Sequence, residues 1–136
     1  MMPVEMDRLL EQEMLTLTPI DGRFDTDAVA VGLAGIGFPF QDDEKPSRFL
    51  ICSDEDARQH FHAALRADPL GRYPRVVRVD VRADRLLVWP ASYHPALREV
   101  SRQVLEWLTT AYDIAIVNED DVDMSGAPQL PGPATL

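Results

Sequence analysis

Cys52 and Arg58 bracket the run Cys52-Ser53-Asp54-Glu55-Asp56-Ala57-Arg58. A thiol five residues ahead of an arginine, at a strand-to-helix junction, has the spacing of a nucleophile beside a phosphate-binding loop. That chemistry needs loop N–H groups and an arginine to hold the oxyanion, and cationic surroundings to lower the thiol pKa. Here three carboxylates and no glycine fill the loop. They repel a phosphate dianion and raise the thiol pKa. The run therefore reads as a buried cysteine that ends a strand, followed by an acid-capped helix.

Two further patterns fail on spacing. Gly32-Leu33-Ala34-Gly35-Ile36-Gly37 follows an apolar run but is G-x-x-G-x-G. Pro39 and an acidic loop follow it, where a dinucleotide loop needs a helix N-terminus to receive the pyrophosphate. His60 and His62 are two apart on a helix, so they diverge by about 200° and do not chelate one ion as an i, i+4 pair does. His94 precedes Pro95, and nothing in the sequence joins it to Cys52 as a thiol–imidazole pair. No cofactor and no metal are expected.

The charged clusters are more informative. Asp42-Asp43-Glu44 and Glu119-Asp120-Asp121-Val122-Asp123 are rich in oxygen ligands. Both lack the twelve-residue spacing and terminal glutamate of an EF-hand. Arg72, Arg75, Arg78, Arg82 and Arg85 crowd fourteen residues. No aromatic stacking pattern interleaves them, and a chain of net charge −10 is repelled at long range by nucleic acid. Pairing within the chain, with Asp80, Asp84 and the acidic segments, accounts for these arginines. The surfaces left for a partner are Asp42, Asp43 and Glu44, then Glu119, Asp120, Asp121 and Asp123, with Arg75, Arg78 and Arg82 on the arginine face.

The elements that must position these residues follow from periodicity and turn chemistry. Val4–Met14 has helical spacing, Leu15–Thr18 alternates as a strand, and Asp21-Gly22 turns the chain. Ala28–Leu33 reads as a second strand, Phe38–Phe40 as an edge strand, and residues 41–46 as a solvated loop. Arg48–Cys52 is a bulky apolar strand, and Ser53 opens a helix that ends near Asp68-Pro69. Arg75–Val81 and Leu86–Trp89 form a β-hairpin, with Val77, Val79 and Val81 on one face and Arg78 and Asp80 on the other. Pro95 suits the first turn of a long helix whose stripe is Leu97, Val100, Val104, Trp107, Leu108 and Ala111. Ile114–Val117 is the last strand.

Hairpins among helices predict one α+β domain over residues 1–118: a mostly antiparallel sheet of five or six strands, two main helices on one face and a short N-terminal helix. Residues 119–136, acidic and then proline-rich, read as a disordered tail. At 136 residues and 46% apolar content the chain builds a core without disulfides. Its single cysteine excludes a disulfide framework. No apolar run reaches the roughly 20 residues of a membrane span. Residues 1–13 resemble neither a signal nor a transit peptide, so the expected compartment is the cytoplasm. Twelve arginines against one lysine, with abundant alanine, indicate G+C-rich codons and a bacterial source.

Charge is segregated along the chain. Residues 1–71 carry 14 acids and 6 bases, 72–112 carry 4 and 7, and 113–136 carry 5 and none. Together these features predict a non-catalytic, acidic module that binds a basic protein, of the immunity or antitoxin kind. In element order alone the chain also resembles the small acidic chaperones of type III secretion, which implies a homodimer. A third alternative is a small enzyme using Cys52, His60 or His94.

Overall fold

The computed structural model describes residues 6–41, 45–56, 58–59, 76–91 and 94–124. The elements run α1 (Met6–Leu10), β1 (Leu15–Pro19), α2 (Thr26–Leu33), β2 (Phe38–Gln41), β3 (Arg48–Cys52), β4 (Val77–Val81), β5 (Leu86–Trp89), α3 (Pro95–Ala111) and β6 (Ile114–Asn118). All six strands join one antiparallel sheet in the order β2-β3-β4-β5-β1-β6. The fold is α+β, as expected.

Alternation decides which side chains the sheet buries. Leu15 and Leu17, Phe49 and Ile51, Val77, Val79 and Val81, Leu86 and Val88, and Ile116 belong to one core cluster. The same cluster takes Leu9 and Leu10 of α1, Val29 and Leu33 of α2, and Leu97, Val100, Val104, Leu105 and Leu108 of α3. On the opposite face the expected alternation of β4 places Arg78 and Asp80 beside Arg48 and Leu50 of β3.

Local chemistry accounts for the helices. Pro95 begins α3, and His94 caps it, its Nδ1 accepting the Ala96 N–H at 3.2 Å. Buried Ser101 donates to the Leu97 carbonyl (2.8 Å) and accepts from the Ala91 N–H (3.0 Å), fastening α3 to the segment after β5. On the solvent side Arg102 bridges Glu99 and Glu106. The α3 stripe differs from expectation at two places. Leu105 is fully buried, whereas Ala111, the last helical residue, is exposed where the chain leaves for β6.

The strand expected over Ala28–Leu33 is instead helix α2. Asp25 caps it by accepting the Asp27 N–H at 3.3 Å, and Asp27 lies in its first turn. The run Ala-Val-Ala-Val has no intrinsic period-2 advantage, and burial shows which period won. Val29 and Leu33, four apart, are inside, while Val31 is 78% exposed. Gly32 lets α2 approach α3: a Cβ there would lie 1.8 Å from Trp107 Cζ2. Gly37 has φ +57°, and a Cβ there would lie 2.8 Å from the Cys52 carbonyl oxygen. Both glycines are thus explained by packing and backbone turn.

α1 is shorter than the expected Val4–Met14: its helix ends at Leu10. β6 likewise does not lead directly into a tail. Residues 119–124 turn back, Met124 is only 5% exposed, and it joins the core cluster.

Candidate functional site

The acidic run after β6 is a built turn with a single organiser, Asn118. Its Oδ1 accepts the N–H groups of Asp120 and Val122, each at 2.9 Å. Its Nδ2 donates to Gln12 Oε1 at 3.0 Å, across 106 residues of sequence. Its backbone N–H donates to the Val122 carbonyl and its carbonyl accepts from the Asp121 N–H, both at 3.0 Å. This is the local competition with regular structure that Asn side chains favour at turns. Asp121 adopts φ 59°, a left-handed conformation that Asn and Asp tolerate better than most residues.

The turn brings the α1–β1 connection with it. The Glu13 N–H donates to Glu119 Oε1 at 3.3 Å, beside the Gln12–Asn118 bond. Glu11, Glu13, Glu119, Asp120, Asp121 and Asp123 are all exposed. Backbone N–H groups, its own first and then those of Glu13 and Met14, hold the Glu119 carboxyl below its ordinary range. The result is an anionic ridge, fixed by backbone hydrogen bonds, at the end of the sheet where β1 begins and β6 ends. Among the described residues no group of three or more His, Cys, Asp or Glu has the arrangement to hold a metal ion.

The arginine face has a different character. Arg78 forms a bidentate pair with Asp80 (Nε–Oδ1 3.0 Å, Nη2–Oδ2 2.8 Å), and its guanidinium carbon lies 4.2 Å from the Trp89 ring centroid. Arg48 Nε reaches the same Asp80 Oδ1 at 3.3 Å. These contacts follow the register, because Arg48 stands opposite Asp80 and Arg78 opposite Trp89. Asp80 is 8% exposed. Burial, which raises its pKa, is outweighed by Arg78 and then Arg48, so its carboxyl sits below the ordinary value. Arg78 is therefore engaged within the sheet.

Arg82 occupies the β4–β5 turn, where its N–H donates to the Arg85 carbonyl. The register places that turn at the opposite end of the strands from the acidic ridge. Leu15 aligns with Val88 and Asn118, whereas Leu17 aligns with Leu86 and Ile116. Among the described residues, those singled out by sequence thus do not converge on one site. Asp42, Asp43, Glu44 and Arg75 lie outside the described residues, as do His60 and His62.

Cys52 is fully buried, and that burial pushes its thiol up to about 11. Arg58 acts in the other direction, while Asp54 and Glu55 add to the rise. Arg58 is itself paired with Glu55 at 2.8 Å. The thiol is protonated at neutral pH, which opposes a nucleophilic role. His94 is exposed and serves as the α3 cap.

Sequence reading passed over Gln12, Glu13, Asn118 and Met124. Asn118 carried a usable signal, an Asn at a strand end ahead of three acids, which is Asx-turn chemistry. Its pairing with Gln12 had none. No family model, curated protein or solved structure matches the chain. Among the described residues no helix is long and apolar enough to cross a membrane.

Proposed function

We propose that this chain is a non-catalytic, acidic protein-binding module of the immunity or antitoxin type, acting in the cytoplasm. It engages a basic protein through the ridge formed by Glu11, Glu13 and residues 119–123. One observation carries this reading: the ridge carboxylates stand on a backbone that Asn118 has already ordered. A preorganised anionic surface speeds encounter with a cationic partner and loses little conformational freedom on binding. The net charge of −10 adds long-range attraction of the same sign.

The test is capture on the tagged chain at low salt, with identification of what elutes. A stoichiometric basic protein released by salt supports the reading. The triple variant Glu119→Gln, Asp120→Asn, Asp121→Asn should then lower the association rate about tenfold, with an unchanged circular dichroism spectrum. A partner that binds the triple variant at the wild-type rate, or capture of no basic protein across growth conditions, overturns it.

A further inference from the structure

An antiparallel sheet ends in two edges, and each edge is a template for another strand. Here the β2 edge is four residues long and contains Pro39, which has no N–H to offer. The β6 edge is longer and is not left open. The Met124 N–H donates to the Ile116 carbonyl (2.6 Å), the Asn118 N–H donates to the Val122 carbonyl (3.0 Å), and Asp123 bridges to Val117. Residues 119–124 therefore lie along the outer edge of β6 and take up two of the groups that an added strand needs, the Ile116 carbonyl and the Asn118 N–H. Buried Met124 pins one end of this segment and Asn118 the other.

We propose that residues 119–124 are an edge guard, and that the strand they exclude is β6 of a second copy of this chain. β6 reads Ile114-Ala115-Ile116-Val117-Asn118 and carries no charge. Within these five residues two copies bring no carboxylate to the contact, and the like charges fall at its ends, where pairing centred on Ile116 sets Asp113 opposite Glu119. Three of its residues are β-branched, which suits strand pairing. Antiparallel pairing centred on Ile116 is two-fold symmetric, so each chain supplies both halves of the contact. The guard opposes this in two ways, by occupying the hydrogen bonds and by setting Glu119, Asp120, Asp121 and Asp123 beside the edge. The inference does not depend on any partner for those carboxylates.

The test is sedimentation velocity over a concentration series, paired with amide exchange at Asn118. Asp121→Pro breaks the guard without removing a core atom, because proline cannot adopt φ 59°. Met124→Ser withdraws the buried pin. Both variants should exchange the Asn118 amide faster than wild type at low concentration and self-associate at least tenfold more tightly. Adding Asn118→Pro to either, which removes the outward N–H of β6, should abolish the gain. The proposal is overturned if the Asn118 amide is exposed and self-association stays at the wild-type level. It is equally overturned if the association survives Asn118→Pro. Should Met124→Ser fail to fold, Asp121→Pro decides alone.

Discussion

Asp80 stands on a sheet face at a position where a buried carboxylate by itself is costly. Arg78 and Arg48 make it tolerable, and the Trp89 ring lies against the Arg78 guanidinium. Because the folded pKa is depressed, the stabilisation is present above the unfolded value of about 3.9. It is lost as pH falls through the folded value. Asp80→Asn should cost about 2 kcal/mol at pH 7. The gap between variant and wild type should then close in urea titrations carried out below about pH 4. A gap that stays constant with pH would show that the carboxylate charge contributes nothing. The alternation of Arg78 and Asp80 against three valines made this face legible in sequence. Arg48 as the second partner was not, since it depends on β3 pairing with β4.

At the scale of elements, α3 was the most legible because cap, proline and long apolar stripe agree. α2 was misread because eight residues hold too few turns for periodicity to decide, and its cap Asp25 was passed over. What keeps α2 in place is a contact with no sequence signature, the Trp107 indole lying on Gly32. The indole also meets Tyr112 edge-on at 6.0 Å, and Tyr112 meets Phe24 at 5.1 Å. Gly32→Ala raises intrinsic helix propensity by about 1 kcal/mol. The clash should nevertheless leave the protein about 2 kcal/mol less stable and shift the Trp107 fluorescence. A more stable variant would mean that the indole does not depend on that gap. The acidic run belongs to this scale too. Composition gave it the look of a tail, yet Asn118 and Met124 make its first residues a turn that belongs to the sheet.

For the whole molecule, the excess negative charge has a thermodynamic consequence. Like charges spread over the surface repel, and salt screens that repulsion more than it screens the buried Arg48–Asp80–Arg78 cluster. Raising sodium chloride from about 20 mM to about 300 mM shortens the screening length severalfold, and the melting temperature should rise by a few degrees. A fall would show that surface ion pairs, such as Arg102 with Glu99 and Glu106, outweigh the net repulsion. The same charge that lowers stability at low salt is the charge that the proposed partner would neutralise.

Composition, periodicity and turn residues by themselves determined the α+β class, the antiparallel hairpin, α3, and the segregation of charge into acidic flanks around an arginine-rich middle. These are short-range properties, carried by neighbours within a few turns or one hairpin. The tertiary structure alone decided which charges are engaged and which are presented. Arg78 was withdrawn into the sheet by Asp80 and Trp89, while the 119–123 carboxylates were ordered by Asn118 and joined to Glu13. The physical reason is that such pairings are set by sheet order and register. Neither is encoded in the spacing of the residues that meet: Gln12 and Asn118 touch only because β1 lies beside β6.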